Sequence, residues 1–379
     1  NNACDGGGIY LYEGDADLQD VDLFSNDTAD CGHGGAVHAD QTDARFSLVN
    51  GSIHSNHGDD GGGIYIHNGA AALEQVAVIN NQADNIGGGI YNGYGELWLT
   101  NVTVSGNSAL VNSSMGGGGG GLFLGGSSIY SSKAELLFTT IAGNTSGTGF
   151  GGNPGGGGIQ FANGDLNLQN TIIANNSNAV GTSNCSGANV GISLVTSYGN
   201  NLENTDTCGL TETSDLVNTD PLLSPLTIEG AHPLQANSPA IDSGICLPGI
   251  DVDQLGAARP QGDGCDIGAF EAAELPPVGL ASVSIAGPVV GEVGVTYTFT
   301  ADVTPVDATQ PITYTWSPAP DSGQGTASVT YRWDAPGTQE ISVSAQNEVN
   351  SAASAPFTIT IEENVTPPTY TISLPLVVR

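Results

Sequence analysis

The chain has 379 residues, with 39 Asp or Glu against five Lys or Arg, giving a formal net charge of −34. So acidic a surface repels nucleic acid and anionic lipid headgroups, which excludes both as partners, and no apolar run reaches the roughly 18 residues of a membrane span. Glycine numbers 56, about twice its usual share of ~7%, and its distribution organises the rest of the chain.

Two or three glycines, an aliphatic residue and then an aromatic or apolar one recur as Gly6-Gly7-Gly8-Ile9-Tyr10, Gly34-Gly35-Ala36-Val37, Gly61-Gly62-Gly63-Ile64-Tyr65, Gly87-Gly88-Gly89-Ile90-Tyr91, Gly120-Gly121-Leu122-Phe123 and Gly157-Gly158-Ile159-Gln160. The last glycines step by 27, 28, 26, 32 and 37 residues, and Asn26, Asn56, Asn81, Asn107, Asn144 and Asn176 follow one in each unit. Such a period means stacked units whose apolar faces are buried only by their neighbours. Segments such as Leu97–Val104 and Leu166–Ile173 alternate apolar and polar side chains at period two, and no window holds a helical period. The expected fold is all-β: a right-handed parallel β-helix over residues 1–273, with glycine at one corner and stacked asparagine amides at another. The longer steps place loops at 112–115 and 144–154. The chain opens at Asn1-Asn2-Ala3-Cys4, almost on a repeat phrase, so a leader, with or without further coils, is expected to precede it.

Six cysteines fall into three sequence-local pairs, Cys4 with Cys31, Cys185 with Cys208 and Cys246 with Cys265. None has metal-ligand spacing, so three disulfides and an oxidising, extracellular location are expected.

From Cys185 the signature changes: Asn184-Cys185-Ser186-Gly187, Tyr198-Gly199-Asn200-Asn201-Leu202, Asp220-Pro221-Leu222-Leu223, His232-Pro233-Leu234, Asn237–Gly244, Asp253–Gly256 with Arg259-Pro260, and Cys265–Glu271. This string, over about residues 184–271, resembles the C-terminal part of choice-of-anchor Q domain proteins, secreted bacterial β-helices. Leu255 stands where those proteins often carry Arg. The glycine-aliphatic phrases are also similar to those of chlamydial polymorphic outer-membrane proteins. Neither resemblance implies a catalytic residue; both imply a surface-displayed solenoid on a bacterial cell.

Residues 274–281 read as a stiff linker containing Pro276-Pro277. Beyond it, 296–301, 312–316, 327–333, 340–345 and 357–361 alternate as strands at sandwich spacing. Tyr314-Thr315-Trp316 with Asp334–Thr338 resembles a polycystic-kidney-disease-type (PKD) immunoglobulin-like module over residues 282–363. Ser317-Pro318-Ala319-Pro320 replaces the acidic, glycine-rich turn of such modules. The tail, 364–379, ends in an amphipathic strand whose Tyr370, Ile372, Leu374, Leu376 and Val378 share one parity.

Candidate chemistry is sparse. A polyuronate lyase needs calcium-binding carboxylates beside a cation, yet the repeats offer only Arg45 and Lys133, on different units. Asp59-Asp60 is the only acidic doublet there for an inverting hydrolase, and no Ser-His-Asp triad can be argued from spacing. His54, His57 and Asp59 are weighed as a transition-metal set, and Asp251, Asp253, Asp263 and Asp266 as a calcium set; carboxylates that cap turns and pair with Arg259 explain the latter equally well. Asn-x-Ser/Thr sequons at Asn26, Asn101 and Asn144 are expected by chance in so Asn-rich a chain. The expected function is a non-catalytic extracellular structural protein. Copies would join head to tail when the C-terminal strand completes a neighbour's first coil. The alternatives are a surface-anchored adhesin or glycan-binding protein, and a polysaccharide lyase or hydrolase.

Overall fold

A computed structural model describes residues 4–28, 32–110, 118–127, 129–148, 155–187, 193–273 and 277–363, and none of them is helical. Contacts divide the chain into two units, Asn1–Glu274 and Leu275–Arg379.

In the first unit each repeat delivers strands to three sheets. A seven-stranded sheet collects Ile9–Leu11, Val37–Ala39, Ile64–Ile66, Ile90–Asn92, Leu122–Leu124, Ile159–Phe161 and Cys185–Ser186, one per glycine phrase. A ten-stranded sheet runs in the order Gly14–Phe24, Ala44–His54, Ala70–Ile79 and Glu96–Ser105. From there each later repeat contributes two shorter strands, ending at Val195–Ser197 and Leu202–Glu203. Every pairing in these two sheets is parallel, and register is kept repeat to repeat: Ile9 faces Val37, which faces Ile64, then Ile90, Leu122 and Ile159. A smaller six-stranded sheet holds two-residue strands such as Gln82–Ala83 and Ser108–Ala109.

Inward positions form one continuous core, including Phe46, Leu48, Ile64, Leu73, Ile90, Leu99, Leu136 and Leu168. The glycine corner brings successive backbones too close for side chains. Gly87 has φ +67°, and a Cβ on Gly88 would sit 2.4 Å from the Gly120 carbonyl oxygen.

At the other corner, Asn26, Asn56, Asn81, Asn107, Asn144 and Asn176 form a buried ladder. Each Nδ2 donates to the next Oδ1 at 2.9–3.1 Å, ending on Asn184. Each accepting Oδ1 also takes the backbone N–H of the preceding ladder residue. The residue before each of the six is left-handed: Ser25, Ser55, Asn80, Gly106, Gly143 and Asn175. Serine, asparagine and glycine tolerate that conformation, so the local sequence makes the bend that aims the amide inward.

A second left-handed row bends the ten-stranded sheet at Asp20, Asn50, Gln75, Asn101, Phe138, Asn170 and Asn200. Residues 219–273 lack regular strands and bond to this row as a strap. Asn101 Nδ2 donates to the Val252 carbonyl at 2.9 Å and Gln75 Nε2 to that of Asp253 at 3.0 Å. Asn170 bonds Ile245 in both directions and Asn200 Nδ2 donates to Ser243. Disulfides join Cys185 to Cys208 and, within the strap, Cys246 to Cys265. Cys31, the expected partner of Cys4, lies outside the described residues.

The second unit is an immunoglobulin-like sandwich. Ser282–Ala286, Thr296–Thr304 and Ser328–Arg332 form one antiparallel sheet; Val290–Glu292, Phe357–Glu362, Gly337–Gln346 and Thr313–Ser317 form the other, with Ser351–Ala353 beside Gly337–Gln346. Trp316, Phe299, Tyr331, Ile341 and Ile359 fill its core. Trp316 Nε1 donates to the Thr326 carbonyl, and the Tyr331 hydroxyl donates to the carbonyl of Pro318, inside the atypical Ser-Pro-Ala-Pro turn. The sequence pattern passes over Ser282–Ala286, Val290–Glu292 and Ser351–Ala353, two of which are only three residues long. The tail strand containing Tyr370, Ile372, Leu374, Leu376 and Val378 lies outside the described residues.

Candidate functional site

The residue after each aliphatic of the glycine phrase turns outward on the seven-stranded sheet, and parallel register stacks those side chains. Tyr65 lies on Tyr91 with ring centroids 4.6 Å apart, and Tyr91 on Phe123 at 5.2 Å, each pair within 6° of parallel. His33 caps Tyr65 at 4.5 Å, and His38 meets it edge-on at 4.7 Å. Burial lifts the Tyr91 phenol to about 12, with Asp60 adding to the shift. His38 is buried; Nδ1 stands 3.4 Å from the Asp5 carboxylate, a long contact, and Nε2 has no hydrogen-bond partner among the described residues. Burial lowers its pKa despite Asp5 and Asp40. Burial likewise lifts Asp60, 3.3 Å from His33 Nδ1, to about 6.

Beside this ladder, corner loops of successive repeats enclose a cavity of about 490 Å³ lined by Thr42, His67, Asn68, Tyr94, Ser127 and Tyr130. His67 Nδ1 bonds Asp40 Oδ1 at 3.0 Å, and the Tyr94 amide donates to the His67 carbonyl at 2.9 Å. Burial alone would raise the Asp40 carboxyl, but hydrogen bonds from His67 and Gln41 outweigh it and hold the group below its ordinary value. The cavity adjoins one lined by Tyr94, Ile129, Tyr130, Glu96 and Lys133, and that one adjoins a smaller depression of about 140 Å³ with Trp98, Glu135 and Asn167.

A second cleft of about 490 Å³ lies where the strap ends, between Asp22, Ser52, His54 and Gln75 on the sheet and Glu229 and Leu255 on the strap. The Ser52 hydroxyl donates to Asp22 at 2.7 Å, and His54 stacks on Phe24.

The sequence candidates are placed as follows. Among the described residues no group of three or more His, Cys, Asp or Glu is placed to hold a metal ion. Asp253 and Asp266 are buried and spend their oxygens on backbone amides, of Leu255, Ala257 and Glu271 for one and of Asp242 and Ala272 for the other. Burial raises Asp266 to about 6. Asp251 and Asp263 are exposed. Arg259 pairs with Glu271 at 2.6 Å rather than with the aspartates, and its guanidinium lies 4.4 Å from the Phe138 ring centroid. The His54-Ser55-Asn56-His57 set separates too: Asn56 belongs to the ladder, while His57 pairs with Asp84 and Asp27. Arg45 and Lys133 fall in one lateral row of the sheet, but Arg45 faces Asp15, and Lys133 faces Glu96 and Asp165. Both cations are thus matched to acidic neighbours.

Comparison with known proteins bears on the second unit: residues 281–360 match the PKD domain family model. No curated protein and no solved structure matches the chain. No helix of the described residues is long and apolar enough to cross a membrane. PKD domains and disulfides are both typical of extracellular proteins.

Proposed function

We propose that the first unit is a right-handed parallel β-helix acting as a rigid extracellular scaffold of a bacterial surface, without catalysis, and that the PKD module follows it in the chain. The observation that carries this is the unbroken asparagine ladder from Asn26 to Asn184. It ties every repeat to the next by buried side-chain hydrogen bonds, so bending or sliding at any step leaves amides unpaired. The likeness of residues 184–271 to choice-of-anchor Q proteins and the acidic surface support the same reading.

Assembly follows from edges. Ile9–Leu11 and Gly14–Phe24 each have a strand neighbour on one side only among the described residues, and Ile9, Leu11, Leu18, Val21 and Leu23 are only partly buried. The amphipathic strand 370–378 of another copy is the complement proposed for that edge. Electron microscopy and sedimentation of the full chain and of a 367–379 deletion test both parts. Straight rods joined end to end, reduced to single rods by the deletion, are expected. Flexible particles would overturn the scaffold, and polymers that survive the deletion would overturn the strand's role.

A further inference from the structure

The exposed rings of one corner lie together. Tyr94, Trp98 and Tyr130 are 40%, 37% and 70% exposed, and Ile129 beside them is 79% exposed. They border cavities that adjoin one another along the surface, sharing Tyr94, Tyr130, Glu96 and Lys133 as common walls. We infer that this corner is a binding groove for a neutral oligosaccharide, with Tyr94 and Tyr130 as stacking platforms.

The walls are preorganised, which lowers the ordering cost of binding. His67 is fixed by Asp40, and Tyr94 is tied to it through the backbone. Residues 125–127 and 129–132 are pinned to each other and to the sheet by a Gly126–Ser131 bridge, by the Ser127 hydroxyl accepting the Tyr130 amide, and by Ser131 Oγ donating to Asp165 at 2.9 Å. Neighbouring repeats lie about 5 Å apart, so loops from four of them, at Thr42, His67, Tyr94 and Tyr130, span room for a short run of sugar rings. Pyranose C–H faces are apolar and slightly positive, which suits aromatic faces. The hydroxyls and amide of Thr42, Ser127 and Asn68 supply the few polar contacts that orient a ligand in such a cleft.

Charge selects the ligand class. Asp40, Glu96, Glu135 and Asp165 surround the groove, and Lys133, the one Lys or Arg among its described lining residues, is flanked by Glu96 and Asp165 in the sheet. A polyuronate would meet uncompensated carboxylates, whereas a neutral glycan would not. An apolar peptide would leave the hydroxyls and amide unpaired.

The test is calorimetric titration of the full chain with cellohexaose, xylohexaose, mannohexaose and chitohexaose, and with polygalacturonate as the anionic control. The proposal expects saturable binding of at least one neutral hexasaccharide. Tyr94→Ala and Tyr130→Ala should each weaken it about tenfold, and Tyr130→Phe should bind nearly as the natural chain does. Circular-dichroism melts of the variants check that the repeats stay folded; the exposure of both rings makes that the expected result. Four outcomes would overturn the proposal: no neutral probe bound at about 10 mM, preference for polygalacturonate, affinity unchanged in both alanine variants, or loss of self-association in place of glycan binding. The last would make the corner a protein interface. The scaffold reading is measured by rod shape, so it stands or falls separately.

Discussion

The ten-stranded sheet has one architecture and two surfaces. At Gly14–Phe24 and Ala44–His54 the outer face is open: Asp20, Asp22 and Asn50 are exposed, and Ser52 and His54 half-buried. In Glu96–Ser105 the part of that face beyond the bend is covered, with Thr103 and Ser105 buried beneath the strap. Both regions bend at left-handed residues, and every one of these except Phe138, which packs under Arg259, carries a side-chain hydrogen-bonding group. Under the strap, those of Gln75, Asn101, Asn170 and Asn200 reach carbonyls of residues 243–253. In the open region Asn50 turns instead to Asp20, at 2.5 Å. The left-handed row therefore makes the bend and also serves as a rail on which extended backbone docks. No strap residue belongs to the inner core of the parallel stack, but the strap sets which outer surface meets solvent.

The largest expected effect tests how the strap is locked. Arg259 and Glu271 are both buried, and the guanidinium also donates to the Gly268 and Asp266 carbonyls. Arg259→Met leaves the Glu271 carboxylate buried without its partner, which should cost about 3–5 kcal/mol. Denaturant unfolding measures the loss, and hydrogen exchange should place it in residues 219–273; a loss below about 1 kcal/mol would show that the pair is not the lock. Next comes the ladder that both halves share. The Asn107 side chain makes four hydrogen bonds, accepting two from Asn81 and donating to Val78 and Asn144. Asn107→Ala should cost about 2–4 kcal/mol by leaving buried groups unpaired. Asn26→Ala, at the ladder's first described rung, should cost less than half as much. Equal losses would mean that the ladder does not act through buried amides. The rail gives a smaller contrast. Gln75→Ala removes one bond to the strap and should cost about 1 kcal/mol, seen as faster exchange around Asp253, whereas Asn50→Ala should stay within about 0.5 kcal/mol.

What the sequence revealed follows period. The glycine phrases place Ile9, Val37, Ile64, Ile90, Leu122 and Ile159 in one sheet because close backbone approach demands glycine at each repeat. The asparagine anchors are legible because a buried amide ladder tolerates no other side chain at that spacing. The strap was not legible: its contacts join Asn101 to Val252 and Thr103 to Gln254 across 151 residues, and no periodicity records such a fold-back. The surroundings of the calcium candidates were hidden for the same reason, since Asp253 and Asp266 look like free carboxylates until the strap's own amides are seen to bond to them. The aromatic corner was half legible. The ladder tyrosines follow the glycine phrase, but Tyr94 and Tyr130 sit in corner loops of unequal length, and only the register brings them together.

The smallest prediction concerns proton linkage between strap and sheet. His232 Nδ1 lies 2.9 Å from the Ser224 carbonyl, which can only accept, so Nδ1 carries the proton. Nε2 then accepts from the Ser105 hydroxyl at 2.8 Å, on the covered face. Burial holds the imidazole below its ordinary 6.5, against the raising effect of Ser224. Below pH 6.5 the unfolded histidine therefore binds a proton that the docked one resists, so strap stability is full above that value and falls as the solution is acidified. Asp266 acts in the opposite sense. Its folded pKa of about 6 exceeds the ordinary 3.8, so acidification from 6 towards 3.8 strengthens the docked state. Protection of the Gly268 and Gln254 amides, corrected for intrinsic exchange, should thus drop modestly between about pH 7.5 and 6 and then level off as the two effects oppose. His232→Gln should remove the drop while leaving the lower range unchanged. If the variant keeps the same pH profile, the histidine contact does not hold this end of the strap to the sheet.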